Sequence, residues 1–396
     1  MPEAKKTAIL KAILKNPRIL KAKLSLNVFL YQYMRKFRIQ DVAGNLIIHS
    51  HLPPLNSRAY GRFVDEHLLG RTEGPSHAQL GLTNACPQHC AYCYNRDRKG
   101  TPLDKATILG VIGDLKRMGV FWLGFTGGEP LLNKNIVEIT ERASDGCAVK
   151  LFTTGCTLTK ELAADLKKAG LFSVSVSLDH WRKEDHDRVR GYAGAYEAAL
   201  KAIEILKNVG GLHVGVSAVL SKEMIARDQA EELLKFLISL GVDEAWLSET
   251  KPSVAAFWNE SHVITEEDRQ KLVNFQDRFN KEGKITVNYL GHFEGREHFG
   301  CNAGNKMVYI DAFGEVSPCV FTPLTFGNVQ EQPFQDIYRE MKQRFCSQDH
   351  CFVNSSFRLF QKYFRGDAPI PYEDTLRLMQ EVQFGPLAKF FKLYDS

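Results

Sequence analysis

The strongest constraint on the fold is an alternation of short apolar runs with longer helical periods between residues 76 and 250. Short apolar runs indicate strands, and apolar residues spaced three and four apart indicate helices. The pattern predicts strands near 78–84, 121–126, 148–153, 172–178, 213–220 and 243–249. It predicts helices near 103–118, 133–143, 159–169, 195–209 and 226–240. Six strands alternating with helices indicate a parallel α/β sheet, either flat or curved into a barrel.

A closely spaced cysteine run follows the first predicted strand and reads Cys86-Pro-Gln-His-Cys90-Ala-Tyr-Cys93. Three thiolates at this spacing can ligate three irons of a [4Fe–4S] cluster, because cysteine thiolates are the usual ligands of such clusters. The fourth iron then has no ligand from the run and can bind a small molecule. Zinc is the alternative metal, since it normally takes four ligands and His89 lies inside the run.

The second predicted strand ends in Gly127-Gly128-Glu129-Pro130. Two glycines at the end of a strand let a ligand approach the backbone closely. Glu129 can accept hydrogen bonds there from a ligand amine. Taken alone the motif is also typical of a turn before a helix, but its place one strand after the cysteine run favours a shared site.

The two motifs together resemble those of the radical S-adenosylmethionine (radical SAM) enzymes, over about residues 76 to 330. Tyr92 matches the aromatic residue usual before the third cysteine, and residues 127–130 match the GGEP motif of that family. The resemblance implies a partial (β/α)6 TIM-like barrel in which the vacant iron binds S-adenosylmethionine. In barrels of this kind the active site lies at the carboxyl ends of the strands.

The resemblance also implies a cofactor pocket at the ends of the third and fourth strands. Alternation along the fourth strand places three serines on one face and apolar residues on the other. Many relatives have Thr-Asn-Gly at strand three, whereas Gly155 and Cys156 stand at the last two positions here, so the contact at strand three is left open. Arg190 has two interpretations, a partner for the cofactor carboxylate or a structural ion pair. The implied pocket residues are Gly127, Gly128, Glu129, Pro130, Thr153, Ser175, Ser177, Asp179 and Arg190.

A second cysteine group lies near the C-terminus and comprises Cys301, Cys319, Cys346 and Cys351. A predicted hairpin around Gly314 brings the first two together, and a predicted helix over 333–345 delivers the last two. Four thiols can fully ligate one cluster, and a four-cysteine zinc site is the alternative. The first half of this segment resembles the SPASM/Twitch auxiliary domain of radical SAM enzymes. Its shorter second half favours the one-cluster Twitch form.

The chain has 396 residues, of which 44% are hydrophobic, a length sufficient for two or three domains. We predict an N-terminal extension that is basic and mainly helical (1–75), a radical SAM core (76–250), a helical linker (251–300), an auxiliary cluster domain (301–352) and an aromatic helical cap (353–396). Nine cysteines without a secretory signal favour a reducing compartment, so a cytoplasmic protein is expected. The sequence contains no apolar run of about 18 residues, so no membrane span is predicted.

The first forty residues are strongly basic. They hold ten Lys or Arg residues and a single acid, Glu3, for a net charge of +9, whereas the whole chain carries +5. Apolar residues recur at helical spacing within this arm. Three interpretations stay open: an arm packed on the enzyme with its lysines in water, a contact with the inner membrane surface, or an acidic partner.

These observations predict an enzyme that takes one electron from a donor such as flavodoxin or ferredoxin. As the resemblance implies, cleavage of S-adenosylmethionine yields a 5′-deoxyadenosyl radical, which abstracts hydrogen from an unactivated C–H bond. The auxiliary [4Fe–4S] cluster favours oxidative modification of a peptide or protein. The alternative substrate is a lipid-like or other hydrophobic molecule. A non-catalytic iron–sulfur or zinc protein is the rival class, and no nucleic-acid partner is expected.

Overall fold

A computed structural model describes the backbone of residues 3–395 and the side chains from residue 9 onward. The N-terminal segment combines helices with one small antiparallel hairpin and two irregular turns, a 3-10 turn at Pro17–Lys21 and a π-helical turn at Phe63–Leu69. Its regular elements are α1 (Glu3–Lys15), α2 (Leu24–Met34), β1 (Gln40–Val42), β2 (Asn45–Ile47) and α3 (Arg58–Arg62).

The central part of the chain alternates strands and helices, as the sequence predicts. Its elements are β3 (His77–Gly81), α4 (Lys105–Arg117), β4 (Trp122–Thr126), α5 (Ile136–Ser144), β5 (Ala148–Thr153), α6 (Lys160–Lys168), β6 (Ser173–Ser177), α7 (Lys183–Arg190), α8 (Ala195–Val209), β7 (His213–Leu220), α9 (Lys222–Ala226), α10 (Gln229–Leu240), β8 (Glu244–Glu249), α11 (Glu266–Glu282), β9 (Thr286–Tyr289) and α12 (Leu290–Phe293). The C-terminal part contains β10 (Met307–Ile310), β11 (Val316–Ser317), α13 (Phe334–Arg344), α14 (Phe352–Tyr363), α15 (Tyr372–Glu381) and α16 (Lys389–Asp395).

The strands form a nine-stranded sheet in the order β11-β10-β3-β4-β5-β6-β7-β8-β9. Neighbouring strands from β10 through β3 to β9 are parallel, and only β11 runs antiparallel to its neighbour. The order is linear, with β11 and β9 at the two edges, so the sheet is open and a barrel built from it is partial. The six predicted strands are β3 to β8. The structure adds β9 inside the segment predicted as a helical linker, and β10 joins the barrel sheet beside β3.

The two faces of the barrel sheet differ in chemistry. On β6, Val174 and Val176 belong to the hydrophobic core shared with the surrounding helices, whereas the serines point into the barrel. Helix starts are fixed by side-chain caps: Asp104 accepts from the Thr107 amide, and Thr159 accepts from the Leu162 amide. The predicted alternation on the fourth strand is confirmed, and a polar interior results.

A segment of the N-terminal extension closes the amino-terminal end of the barrel. The Ser50 amide donates to Glu244 Oε2 (2.7 Å), and Lys150 Nζ donates to Ser50 Oγ (2.6 Å). His51 stacks between Trp122 and Trp246, at ring-centroid distances of 5.4 and 4.8 Å. Burial lowers the pKa of Lys150 to about 7, an effect that Glu244 opposes. The Ser50–His51 segment therefore covers the amino-terminal end of the barrel.

Among the residues that the structure describes, no helix is both long and apolar enough to cross a membrane.

Candidate active site

One internal cavity connects the two cysteine groups. It has a volume of about 270 Å³ and extends from the carboxyl ends of β4 to β8 and the auxiliary region down to Trp122 and His51 at the amino-terminal end of the barrel. Cys86, Cys90 and Cys93 border it on one side. On the other side the bordering cysteines are Cys301, Cys319 and Cys351. Most of the remaining wall is apolar or aromatic.

The loop after β3 presents its three cysteines to the cavity. The Cys93 amide donates to the Cys90 carbonyl (3.2 Å), which turns the loop back on itself. Burial raises the pKa of Cys86 to about 11 and also raises the pKa of Cys90, where Arg190 opposes the effect. Buried thiols of this kind bind iron as thiolates, because coordination to a cation compensates for the lost solvation.

The two glycines of the Gly-Gly-Glu-Pro motif let this loop pack against the end of β4. A Cβ on Gly127 would lie 2.4 Å from the Thr83 carbonyl oxygen, and one on Gly128 would lie 2.2 Å from that of Ala85. The Gly128 amide donates to the Thr83 carbonyl at 2.7 Å. Only glycine allows so close an approach, and both glycines border the cavity.

Glu129 and Pro130 are buried and do not border the cavity, so the predicted ligand contact of Glu129 stays a prediction. The carboxylate accepts hydrogen bonds from Thr153 Oγ1 (2.7 Å), from the Thr154 amide (2.6 Å) and from the Thr154 hydroxyl. It also accepts from the Leu131 amide (3.1 Å). Because these donors occupy both oxygens, Glu129 ties the end of β4 to the end of β5.

The predicted residues on β5 and β6 are placed at different depths. Thr153 and Ser177 border the cavity at the strand ends. Ser175 is fully buried, does not border the cavity and has no hydrogen-bond partner for its hydroxyl, so its predicted cofactor contact stays a prediction. Side chains two apart on a strand share a face but differ in depth. Cys156 accepts a hydrogen bond from Gln88 Nε2 (3.7 Å) and does not border the cavity.

Asp179 holds the cysteine loop in place rather than facing the cavity. Its Oδ2 accepts a hydrogen bond from the Tyr92 hydroxyl (2.5 Å) and lies 2.8 Å from Arg190 Nε. Its Oδ1 accepts from the Val219 amide (2.9 Å). Asp179 thus has three protein partners in this structure, and its contact with the cofactor stays a prediction. Arg190 forms the structural ion pair and also borders the cavity.

Three auxiliary cysteines converge on the other side of the cavity. The backbone of Cys301 pairs with that of Gln348, and Cys319 Sγ lies 3.0 Å from Thr322 Oγ1. The pKa of Cys351 is held well below its ordinary value by a hydrogen bond from the Cys301 thiol, with a further contribution from buried Lys251. The hydrogen bond correspondingly raises the pKa of Cys301. Cys351 is thus poised as a thiolate, the form that binds iron.

Cys346 does not join this group, so the predicted set of four converging thiols is corrected to three. It is exposed and does not border the cavity. Phe345, which follows the end of α13, has an extended backbone and a buried side chain. Successive side chains of an extended chain point to opposite sides, so burial of Phe345 turns Cys346 outward.

Two charged groups in this region were not predicted from the sequence. Glu294 borders the cavity beside Cys351, and burial together with that thiol raises its pKa to about 8. Arg98 forms a buried ion pair with Asp311 at 3.0 Å and also donates to Ser317 Oγ (3.2 Å). This pair joins the cysteine loop to the auxiliary hairpin. Neither residue belongs to a spaced motif, so no sequence signal identified them.

The donor set fits a cluster with one open iron. Three thiols of one loop reach the cavity, and Gln88, beside them, has a buried Oε1 without a hydrogen-bond partner. Each thiolate of such a cluster binds a different iron. Among the side chains described, those of residues 9–395, no group of three or more His, Cys, Asp or Glu residues is arranged to hold a single metal ion.

Comparison with known proteins gives two family matches. Residues 80–243 match the Radical SAM superfamily, and residues 301–362 match SPASM, an iron–sulfur cluster-binding domain. Both were predicted from the cysteine motifs, and both predictions are confirmed.

Individual relatives cover most of the same region. The chain is 27% identical to an AdoMet-dependent heme synthase of Methanosarcina barkeri, over 68% of this chain and 84% of the relative. It is 28% identical to a PqqA peptide cyclase of Bradyrhizobium diazoefficiens, over 61% of this chain and 65% of the relative. The fold is similar to Streptococcus suis SuiB bound to its precursor peptide SuiA, with a TM-score of 0.58, 16% identity and coverage of 79% of both chains.

Proposed function

Because the chain belongs to the radical SAM superfamily and carries a SPASM-type domain, we propose that it abstracts hydrogen from a C–H bond of a peptide substrate held between its two clusters. The single observation that carries this proposal is the cavity that the two cysteine groups share. The peptide class is supported by the PqqA peptide cyclase and by the precursor peptide bound to SuiB.

The protein is an enzyme whose radical SAM domain binds a [4Fe–4S] cluster with S-adenosylmethionine and whose SPASM domain binds auxiliary iron–sulfur. When bound, the first cluster supplies one electron that splits S-adenosylmethionine into methionine and a 5′-deoxyadenosyl radical. We assign Cys86, Cys90 and Cys93 to this cluster. We assign Cys301, Cys319 and Cys351 to one auxiliary cluster.

The chain's own residues would position the reactants and exclude water. Thr153, Ser177 and the two glycines border the cavity where S-adenosylmethionine would lie. The aromatic walls shield a carbon radical from solvent. A 5′-deoxyadenosyl radical formed there would become 5′-deoxyadenosine on taking a hydrogen atom from the substrate, and an auxiliary cluster held by Cys301, Cys319 and Cys351 would accept the electron that the substrate radical loses together with a proton. A flavodoxin or ferredoxin would return electrons to the first cluster.

A second candidate substrate is a hydrophobic small molecule delivered from a membrane surface. The observation that favours it is the lining of the cavity, which includes Phe293, Phe299, Phe390, Phe391 and Tyr394. An apolar lining of this kind gains free energy by burying apolar surface. The AdoMet-dependent heme synthase among the relatives is consistent with a non-peptide substrate.

Deuterium transfer tests the proposal and separates the two substrates. Cells of the source organism are grown in deuterated medium, and their extract is divided into a peptide fraction and an organic-solvent lipid fraction. Each is incubated with the reduced holoenzyme and S-adenosylmethionine, and deuterium in 5′-deoxyadenosine is measured by mass spectrometry. The proposal expects deuterium with the peptide fraction. Deuterium with the lipid fraction alone selects the second candidate, and deuterium with neither contradicts hydrogen abstraction.

A further inference from the structure

Exposed large apolar side chains are concentrated on the N-terminal arm, residues 9–35. Of the residues that the structure describes, eight such side chains are exposed, and only Leu132 and Tyr192 lie elsewhere in the chain. Single exposed leucines are ordinary on a protein surface, but a contiguous set marks an interaction surface. The six arm residues are Leu10, Leu14, Leu20, Leu24, Val28 and Tyr31.

Helix α2 has two apolar faces, and the enzyme covers only one of them. On the inner face, the ring of Phe29 contacts Phe299 and Phe390 at centroid distances of 5.4 and 5.6 Å. On the outer face, Leu24 is 79% exposed, Val28 44% and Tyr31 43%. Residues spaced by four and three lie in one row along a helix. Packing of the arm on the enzyme therefore accounts for the inner row and leaves the outer row without a partner.

Helix α1 and the 3-10 turn also carry exposed apolar side chains. Leu10 and Leu14 are one helical turn apart and are 56% and 70% exposed, and Leu20 is 66% exposed. Exposed lysines are interspersed with them, namely Lys11, Lys15, Lys21 and Lys23. The first forty residues contain ten basic residues and one acid. The surface thus combines apolar side chains with a dense positive charge.

We propose that this arm surface docks the enzyme on an anionic lipid bilayer. Leucine side chains can enter the acyl boundary of a membrane while the lysines reach its anionic headgroups. Each basic residue near such a surface adds attraction that salt weakens. An acidic protein would satisfy the lysines but would leave the apolar row in water. The inner face of α2 contacts Phe299 and Phe390, so docking would turn that wall of the cavity toward the bilayer.

Sedimentation with vesicles tests the docking surface on the full-length holoprotein, reconstituted under anaerobic conditions. Vesicles of phosphatidylglycerol and phosphatidylcholine in equal amounts are compared with vesicles of phosphatidylcholine alone, at low and high salt. We expect binding to the anionic vesicles at low salt and release at high salt. The triple variant Leu14→Ser, Leu24→Ser, Val28→Ser should bind about tenfold more weakly or worse, because its apolar anchors are removed.

A matched control removes the exposed apolar residues outside the arm. The double variant Leu132→Ser, Tyr192→Ser should bind the anionic vesicles as the unchanged protein does. Circular dichroism and iron content establish that each variant is folded and loaded. Absence of vesicle binding, or equal binding by the arm variant and the unchanged protein, would overturn the proposal. Conversion of a dimer to a monomer by the arm variant, without vesicle binding, would also overturn it and would assign the surface to a second copy of the chain.

Discussion

At the residue scale, exposure distinguishes Cys346 from the three auxiliary cysteines that we propose as iron ligands. Cys351 borders the cavity beside Cys301, whereas Cys346 is exposed five residues earlier in the chain. The variant Cys351→Ser should lose the auxiliary cluster, while Cys346→Ser should keep it. Iron content and electron paramagnetic resonance of the reduced proteins measure the difference. Loss of auxiliary iron in both variants would restore the four-thiol set predicted from the sequence.

The same Cys351→Ser variant tests whether cleavage of S-adenosylmethionine and conversion of the substrate depend on different clusters. The three cysteines of the loop after β3 are unchanged in this variant, so cleavage of S-adenosylmethionine should continue. Conversion of the substrate should stop, because the substrate radical has lost its electron acceptor. Parallel assays of 5′-deoxyadenosine and of product make this comparison. Full product formation without auxiliary iron would show that the second cluster is not the acceptor.

Buried histidines make the stability of the fold depend on pH. Burial lowers the pKa of His67 from its ordinary 6.5 to about 4, so the folded protein keeps this imidazole neutral while the unfolded chain protonates it. Stability is therefore complete above about pH 6.5 and falls as the pH drops toward 4. At pH 5 the loss from this single group is about 2 kcal/mol.

The variant His67→Gln removes the ionisable imidazole at this position. The glutamine side chain can still donate to the Gly119 carbonyl, which His67 Nε2 contacts at 2.8 Å. Urea unfolding of both proteins at pH 7 and pH 5 should show a smaller loss of stability in His67→Gln. An equal loss in the two proteins would mean that His67 does not titrate between its folded and unfolded states.

The sequence motifs predict which residues lie near the site, but not the direction in which each side chain points. The three cysteines of the loop after β3 and the two glycines after β4 border the cavity, as predicted. Their close spacing in the sequence keeps each group together at the end of its strand. Glu129 and Asp179 were placed in the pocket, and both turn away to bind neighbouring backbone and side chains. The direction of a carboxylate depends on donors that are distant in sequence, and no local pattern records them.

At the element scale, one buried ion pair joins the cysteine loop to the auxiliary hairpin. Arg98 and Asp311 have side chains that are 2% and 0% exposed. Replacing Arg98 with alanine should destabilise the protein by about 3–5 kcal/mol, because Asp311 would remain buried without a partner. Arg96→Ala is the matched control, since its pair with Asp97 is solvent-exposed and should contribute less than about 1 kcal/mol.

Denaturant unfolding of the two variants measures this difference in the free energy of unfolding. A small effect of Arg98→Ala, similar to that of Arg96→Ala, would contradict the role of this pair in holding the two parts together.

The strands show which elements a sequence can reveal. The six predicted strands were visible because each is an apolar run flanked by long helical periods. β9 has only four residues, too few to show a period, and it follows the long helix α11. β10 was predicted as part of a hairpin, but its pairing with β3 joins residues about 230 positions apart. Such pairing depends on tertiary packing rather than on local pattern.

At the scale of the whole molecule, both cysteine groups border one cavity. It is closed at the amino-terminal end of the barrel by the Ser50–His51 segment. A substrate inside it would lie between the source of the radical and an electron acceptor. The exposed arm adds a surface by which this cavity can be held near a bilayer.

The central claim is that Cys86, Cys90 and Cys93 hold the cluster that cleaves S-adenosylmethionine. Its most direct test is the yield of 5′-deoxyadenosine, measured by mass spectrometry after anaerobic incubation of reconstituted protein with S-adenosylmethionine and dithionite. The unchanged protein should form 5′-deoxyadenosine, and the variant with all three cysteines replaced by alanine should form none while retaining its auxiliary iron. Continued formation of 5′-deoxyadenosine by that variant would contradict the account.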